Sequence, residues 1–135
     1  MEFQVDPTTR LPIYRQLMDQ VRLAVARGRL KPGSRLPSVR VLSRELVVNP
    51  NTIARVYTEL EREGVLNTRP GMGVFVAEPQ ADLSAVARRQ RLAEIIDSFL
   101  TDAVHLGFSA EEVLSAVAKR TRGFQFVDAA ASDAS

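Results

Sequence analysis

The fold of this 135-residue chain is decided by residues 35–76, which read RLPSVRVLSRELVVNPNTIARVYTELEREGVLNTRPGMGVFV. The pattern predicts two short amphipathic helices joined by a tight turn, followed by a β-hairpin interrupted by Gly71 and Gly73. The second helix carries one apolar stripe with the i, i+3, i+4, i+7 spacing, formed by Ile53, Val56, Tyr57 and Leu60. These four are predicted core residues, and only the Tyr57 hydroxyl is expected to be able to reach a phosphate.

The opposite face of that second helix is polar, with Asn51 and Arg55 near its beginning. Asn and Arg side chains are shaped for bidentate hydrogen bonds to the edges of adenine and guanine. A helix–turn–helix places the N-terminal residues of its second helix in the major groove. The stretch therefore predicts a winged helix–turn–helix that binds double-stranded DNA.

Local signals set the expected limits of the elements. Asn49 is the expected N-cap of the third helix, with Pro50 at its first position. Ser109 and Glu112 have the spacing of a capping box and predict the start of the last helix. The first twelve residues are expected to form an arm, either as a short strand or packed across the domain. The elements are predicted over residues 13–27, 38–46, 50–63, 81–106 and 109–122 for the helices, and 65–68 and 73–76 for the strands.

The last third of the chain predicts a dimerisation module. A two-helix appendage of about 45 residues can hardly build a core of its own, so its apolar faces must pack on the first domain or on a second copy. A two-fold dimer suits a helix–turn–helix, because two recognition helices must meet half-sites about one helical turn apart. The residues expected in the dimer contact are Leu92, Ile95, Ile96, Phe99, Leu100, Val104, Val113, Leu114 and Val117.

The predicted fold class is therefore mainly α, formally α+β. We expect a winged helix–turn–helix domain over residues 1–78 and a two-helix dimerisation module over residues 79–124. Residues 125–135 are expected to be a flexible tail, since they offer little to bury.

Composition and charge exclude several classes of function. There is no cysteine, and the single histidine has no carboxylate partners at ligand spacing, so neither a metal site nor a cofactor is expected. No nucleophile–base pair or phosphate cradle is recognisable, which argues against an enzyme. No apolar run is long enough to cross a bilayer, and a cytoplasmic location is expected. Residues 1–78 carry a net charge of +4 and residues 79–135 one of −2, so positive charge is concentrated in the predicted DNA-binding part.

Three motifs occur together and in order: LKPGSRLPSVRVL at residues 30–42, NPNTIARVYTELEREGVL at residues 49–66 and GMGVFV at residues 71–76. With them the chain resembles the GntR family of bacterial transcription regulators. The NPNT motif and the short two-helix C-terminal part resemble its YtrA-like branch. The resemblance implies a homodimeric repressor at an inverted-repeat operator. The controlled operon is expected to serve ABC-type transport or a response to envelope or antibiotic stress.

The same resemblance implies a set of DNA contacts. Arg35 and Arg40 flank the start of the second helix, where backbone N–H groups also favour a phosphate. Pro70 and Val74 replace the basic residue and the Thr usual in the family wing, so Arg69 alone supplies the wing cation. The full set of expected DNA-contact residues is Arg35, Ser38, Arg40, Asn49, Asn51, Thr52, Arg55, Arg69, Gly71 and Gly73.

Two alternatives stay open at this point. The winged helix could be a protein-interaction module without specific DNA binding, and the salt dependence of binding would distinguish the two because phosphate contacts release counterions. A small-molecule effector could bind at the dimer interface or between the two parts, although no convergent polar cluster predicts its place.

Overall fold

The computed structural model describes residues 3–79 and 85–126, which form five helices and one two-stranded antiparallel sheet. Contacts divide the chain into two compact units, Met1–Pro79 and Gln80–Ser135, here called the N-terminal and the C-terminal unit. The winged helix–turn–helix fold predicted from the sequence is confirmed, while residues 81–84 and 127–135 of the predicted last helices and tail lie outside the described residues. The elements are α1 (Ile13–Ala26), α2 (Val39–Leu46), α3 (Pro50–Arg62), β1 (Leu66–Arg69), β2 (Gly73–Val76), α4 (Ala85–His105) and α5 (Ala110–Thr121).

Side-chain caps fix where three of the helices begin. The Ser38 hydroxyl accepts a hydrogen bond from the Val41 amide at 3.1 Å and starts α2. The Asn49 side chain accepts from the Asn51 amide at 2.8 Å, which confirms it as the N-cap of α3. The capping box predicted before α5 is also confirmed, with both reciprocal hydrogen bonds formed.

The core of the N-terminal unit lies between α1, α3 and the hairpin. The apolar stripe of α3 is buried as predicted, and Ile53 and Leu60 are fully inaccessible to solvent. Leu17 and Val21 of α1 meet this stripe from one side, and Leu66 and Val76 of the strands close it from another. Burying this apolar surface supplies the main driving force for folding of the unit.

The segment just before α2 is hydrogen-bonded to β2, a contact that the sequence did not predict. The Leu36 amide donates to the Val74 carbonyl at 2.8 Å, and the Val76 amide donates to the Ser34 carbonyl at 2.8 Å. Arg35 and Phe75 form an isolated antiparallel bridge between these hydrogen bonds. The segment before α2 is therefore attached to the wing by backbone hydrogen bonds.

The N-terminal arm is held by glutamine side chains and not by a strand. Within the described residues 3–12 no strand forms, so of the two alternatives for the arm the packed one is correct. The Gln16 side chain accepts from the Asp6 amide at 2.9 Å and donates to the Asp6 carbonyl at 2.9 Å. Gln20 makes the same pair of bonds to the backbone of Gln4, and Phe3 enters the core. Each amide side chain thus satisfies backbone groups that would otherwise need a sheet partner.

Candidate nucleic-acid interface

The start of α3 presents the residues predicted to read DNA. Asn51 is exposed and Thr52 is half-buried in the first turn of the helix. Asn49 lies just before them, and its side chain is engaged in the cap described above. Ser38 has the corresponding position before α2. Contacts of these four residues with DNA stay a prediction, and for Ser38 and Asn49 the structure adds a local role in forming the helix starts.

The structure corrects one expectation from the sequence, which concerns the Tyr57 hydroxyl. Its hydroxyl donates to the carbonyl of Pro37 at 2.7 Å, and the residue is only 5% exposed. The hydroxyl is therefore directed at the backbone before α2 and is not available to a phosphate. Burial, with the nearby Glu45 carboxylate as a second cause, raises the pKa of Tyr57 well above its usual value. This hydrogen bond fixes the spacing between the start of α2 and the middle of α3.

Arg55 is exposed on the second turn of α3, but its side chain is not free in solvent. Its guanidinium carbon lies 3.8 Å from the centroid of the Tyr14 ring, at the beginning of α1. This distance is well within the range of a cation–π contact. The structure therefore places Arg55 in the predicted polar face and also against an aromatic ring that the sequence analysis did not consider.

In the wing, two of the predicted arginines lie beside Phe75 of β2. Arg69 is the last residue of β1, and its guanidinium carbon lies 4.3 Å from the centroid of the Phe75 ring in β2. Arg35 pairs with Phe75 across the other edge of β2, and its side chain crosses Gly73. A Cβ at Gly73 would lie 2.9 Å from Arg35 Nε, and the backbone there has a φ of +122°. Gly73 is thus required both by its backbone and by the close approach of Arg35.

The tip of the wing explains why Pro70 is compatible with the fold. The Met72 amide donates to the Arg69 carbonyl at 2.9 Å, which closes a four-residue turn. Pro70 and Gly71 are its central residues, and Gly71 has a φ of +73°, as the third position of a type II turn requires. Proline is favoured at the second position of such a turn. The departure from the usual family wing therefore rigidifies the tip.

A hydrogen-bonded link between α3 and the wing was missed by the sequence analysis. The Glu61 carboxylate accepts from the Thr68 hydroxyl at 3.0 Å and from the Thr68 amide at 3.3 Å. Thr68 immediately precedes Arg69, so this carboxylate positions the strand that carries the wing cation. The i, i+7 separation of an acid and a threonine across a helix end gives no recognisable sequence signal.

The structure distributes the four predicted arginines over three places. Arg35 and Arg69 flank Phe75 in the wing, and Arg55 lies over Tyr14 at the start of α1. Arg40 is exposed on the first turn of α2. All four are on the N-terminal unit, which also carries the net positive charge of the chain. Together they provide cationic groups at the helix starts and the wing, as a phosphate-binding surface needs.

The C-terminal unit presents an apolar face that its own helices do not cover. Among its described residues only Ala103 is a buried apolar residue. Phe99 is 46% exposed, Val104 71% and Leu114 70%. An open, largely apolar groove of about 690 Å³ runs between α4 and α5, lined among others by Phe99, Leu106, Phe108 and Val113. Eight of the nine residues predicted for dimerisation are exposed, and Val113 is half-buried.

Two further findings concern other classes of function. Within the described residues, no group of three or more His, Asp or Glu side chains could hold a metal ion. In the same part of the chain no helix combines the length and apolar character needed to cross a membrane.

Comparison with known proteins gives consistent matches. A family model described as bacterial regulatory proteins, gntR family, matches residues 13–76. The HTH-type transcriptional regulator YhcF of Bacillus subtilis (strain 168) is 39% identical over 112 residues, which are 83% of this chain and 92% of YhcF. The HTH-type transcriptional repressor YtrA of the same organism is 34% identical over 110 residues, 82% of this chain and 85% of YtrA. A crystal structure of a transcriptional antiterminator from Listeria monocytogenes EGD-e has a TM-score of 0.73 at 30% identity and covers 90% of each chain.

Proposed function

The chain belongs to the GntR family of bacterial regulatory proteins and is a DNA-binding transcription regulator, and from this premise we propose that it is a homodimeric repressor of an inverted-repeat operator. The proposed DNA surface consists of the starts of α2 and α3 together with the wing. The observation that carries the proposal is the cationic surface of the N-terminal unit beside the exposed polar face of α3. The repressor role is supported by the similarity to YtrA, which extends beyond the N-terminal unit.

The homodimer is supported by the uncovered apolar face of α4 and α5. An exposed apolar surface of this kind marks an interaction site in a water-soluble protein. A second copy of the chain would cover it symmetrically, because a two-fold interface uses the same patch on both subunits. The same symmetry would present two α3 helices to the two halves of an inverted repeat. The controlled genes are proposed, from the family resemblance, to encode ABC-type transport or a stress response.

The proposal is tested by titrating the protein with promoter DNA of its own operon, at low and at moderate salt and with scrambled DNA as competitor. We expect saturable and sequence-selective binding whose affinity falls steeply as salt is added, because phosphate contacts release counterions. Binding that does not depend on salt, or that the scrambled DNA abolishes, would contradict specific recognition and favour the protein-interaction alternative.

Variants at the proposed contacts make the test specific. Arg40→Ala and Arg55→Ala are each expected to weaken operator binding by about tenfold or more, since a good base or phosphate contact of an arginine is worth about 1–3 kcal/mol. The dimer should be unaffected in both. Arg62→Ala is the matched control, because Arg62 is exposed at the opposite end of α3, where it pairs with Glu59. An Arg40 or Arg55 variant that binds like the control would remove that residue from the site.

A further inference from the structure

The contact between Arg55 and Tyr14 joins the proposed recognition helix to a residue outside the helix–turn–helix segment. Tyr14 is the second residue of α1, and its half-buried ring packs against the core of the N-terminal unit. Arg55 approaches the ring from the solvent side, with its guanidinium carbon 3.8 Å from the ring centroid. Among the described residues the Tyr14 hydroxyl has no hydrogen-bond partner, so the ring itself makes the contact.

A guanidinium stacked on a ring can still bind DNA through its N–H donors. The aromatic ring occupies one face of the planar cation, while its N–H donors point outward in the plane. Those donors make bidentate bonds to guanine and to phosphate. Stacking on Tyr14 is therefore compatible with a DNA contact made by the edge of Arg55.

The stack also reduces the conformational entropy that the Arg55 side chain loses when DNA binds. A free arginine side chain on a helix surface samples many rotamers, and fixing it on a ligand costs conformational entropy. A ring that already holds the guanidinium in one place removes part of that cost before DNA arrives. The ring already packs against the core, and so it does not itself have to be ordered when DNA binds.

We propose that Tyr14 is a positioning residue for DNA recognition, which acts by holding the guanidinium of Arg55 on its ring in the orientation used on DNA. This inference rests on the proposed function, because it takes Arg55 to contact the operator. Tyr14 itself makes no contact with DNA. Phe75 under Arg69 is arranged similarly, but its ring is part of the buried sheet and cannot be exchanged without disturbing the wing.

The test is a double-mutant cycle on the full-length protein, with operator affinity as the readout. The four proteins are the wild type, Tyr14→Leu, Arg55→Ala and the variant with both changes. Tyr14→Leu should weaken operator binding by about two- to fivefold, because the ring removes part of the entropic cost of ordering a rotamer-rich side chain on DNA. In the Arg55→Ala background the same change should have no further effect, since nothing is left to position.

Three controls separate positioning from a purely structural role. Tyr14→Phe keeps the ring and should bind like the wild type, whereas a loss would mean that the hydroxyl touches DNA and would overturn the inference. The melting temperature of each variant reports how much the ring stabilises the core. This effect on stability is expected both with Arg55 and in the Arg55→Ala background. If Tyr14→Leu is unfolded at the assay temperature, Tyr14→Met replaces it with another flexible apolar side chain.

The remaining outcomes are decisive as well. An equal loss from Tyr14→Leu in both backgrounds, or no loss in either, would overturn the positioning role while leaving the proposed function intact. Wild-type affinity of Arg55→Ala would remove Arg55 from the DNA surface and the inference with it. The proposed function would then still be tested separately by Arg40→Ala.

Discussion

The two units of the chain differ in how completely they bury their apolar residues. In the N-terminal unit α1, α3 and the sheet enclose a continuous core, and Ile53, Leu60 and Leu66 are at most 1% exposed. In the described part of the C-terminal unit the apolar side chains of α4 and α5 stay open to solvent. The first unit encloses its apolar residues with its own elements, whereas the helices of the second leave most of theirs exposed. The proposed division of labour, DNA recognition by the first unit and dimerisation by the second, follows this difference.

The largest expected difference between the units concerns the cost of shortening a leucine. Leu60→Ala should lower the free energy of unfolding by about 2–5 kcal/mol, because the side chain is fully buried and leaves a cavity. The matched change Leu114→Ala removes a side chain that is 70% exposed and should leave the stability of the N-terminal unit unchanged. Urea unfolding followed by tyrosine fluorescence measures this unit selectively, since both tyrosines, Tyr14 and Tyr57, lie in it. Equal shifts from the two changes would mean that the units unfold as one.

The next prediction concerns the open face itself. Phe99→Glu places a carboxylate in the middle of the apolar face and should convert the proposed dimer to a monomer, as seen by analytical ultracentrifugation. Operator affinity should fall by about a hundredfold or more, because two half-sites are no longer bound by one molecule. Gln90→Glu, with the same charge on the opposite side of α4, should change neither property. A Phe99→Glu protein that stays dimeric would move the interface to another surface.

A smaller predicted effect concerns the stability of the N-terminal unit at high pH. Since burial raises the pKa of Tyr57, the folded protein keeps this phenol neutral while the unfolded chain loses the proton near pH 10. The contribution of Tyr57 to stability should therefore be constant below about pH 10 and fall above it by about 1.4 kcal/mol per pH unit until the folded-state pKa is reached. Tyr57→Phe should lack this part of the pH dependence. Urea unfolding followed by circular dichroism at pH 9, 10 and 11 compares the two proteins, and parallel losses would contradict the assignment to Tyr57.

The smallest predicted effect is a gain in stability in the N-terminal unit. Val47, in the turn between α2 and α3, has a φ of +54° and is 89% exposed. A β-branched residue is strained in this left-handed region, which asparagine tolerates. Val47→Asn should raise the free energy of unfolding by about 0.5–1 kcal/mol. Val41→Asn, at an exposed valine within α2, is the control and should give no gain, so a gain of similar size there would exclude backbone strain as the cause.

The sequence determined the elements of the N-terminal unit because their signals act over a few residues. The cap at Asn49, the apolar stripe of α3 and the glycines of the hairpin each specify a local conformation, and the structure confirms the resulting winged helix–turn–helix. The placement of Arg69 over Phe75 could also have been derived, because the turn at residues 69–72 fixes the register and puts both side chains on one face. The sequence pattern at residues 30–66 and 71–76 was sufficient to identify the family.

Only the tertiary structure brought together residues that are distant in the chain. Three contacts depend on how α1, α3 and the sheet pack: the stack of Arg55 on Tyr14, the hydrogen bonds that Thr68 donates to Glu61, and the pairing of Arg35 with Phe75. Tyr57 was predicted as a core residue whose hydroxyl could reach a phosphate, and the packing of α3 beside the segment before α2 instead directs that hydroxyl at the Pro37 carbonyl. Periodicity tells which face of a helix is buried, but not which neighbour a long polar side chain meets. That choice is made by the geometry of the packed elements, and it decides how the arginines of the proposed DNA surface are held.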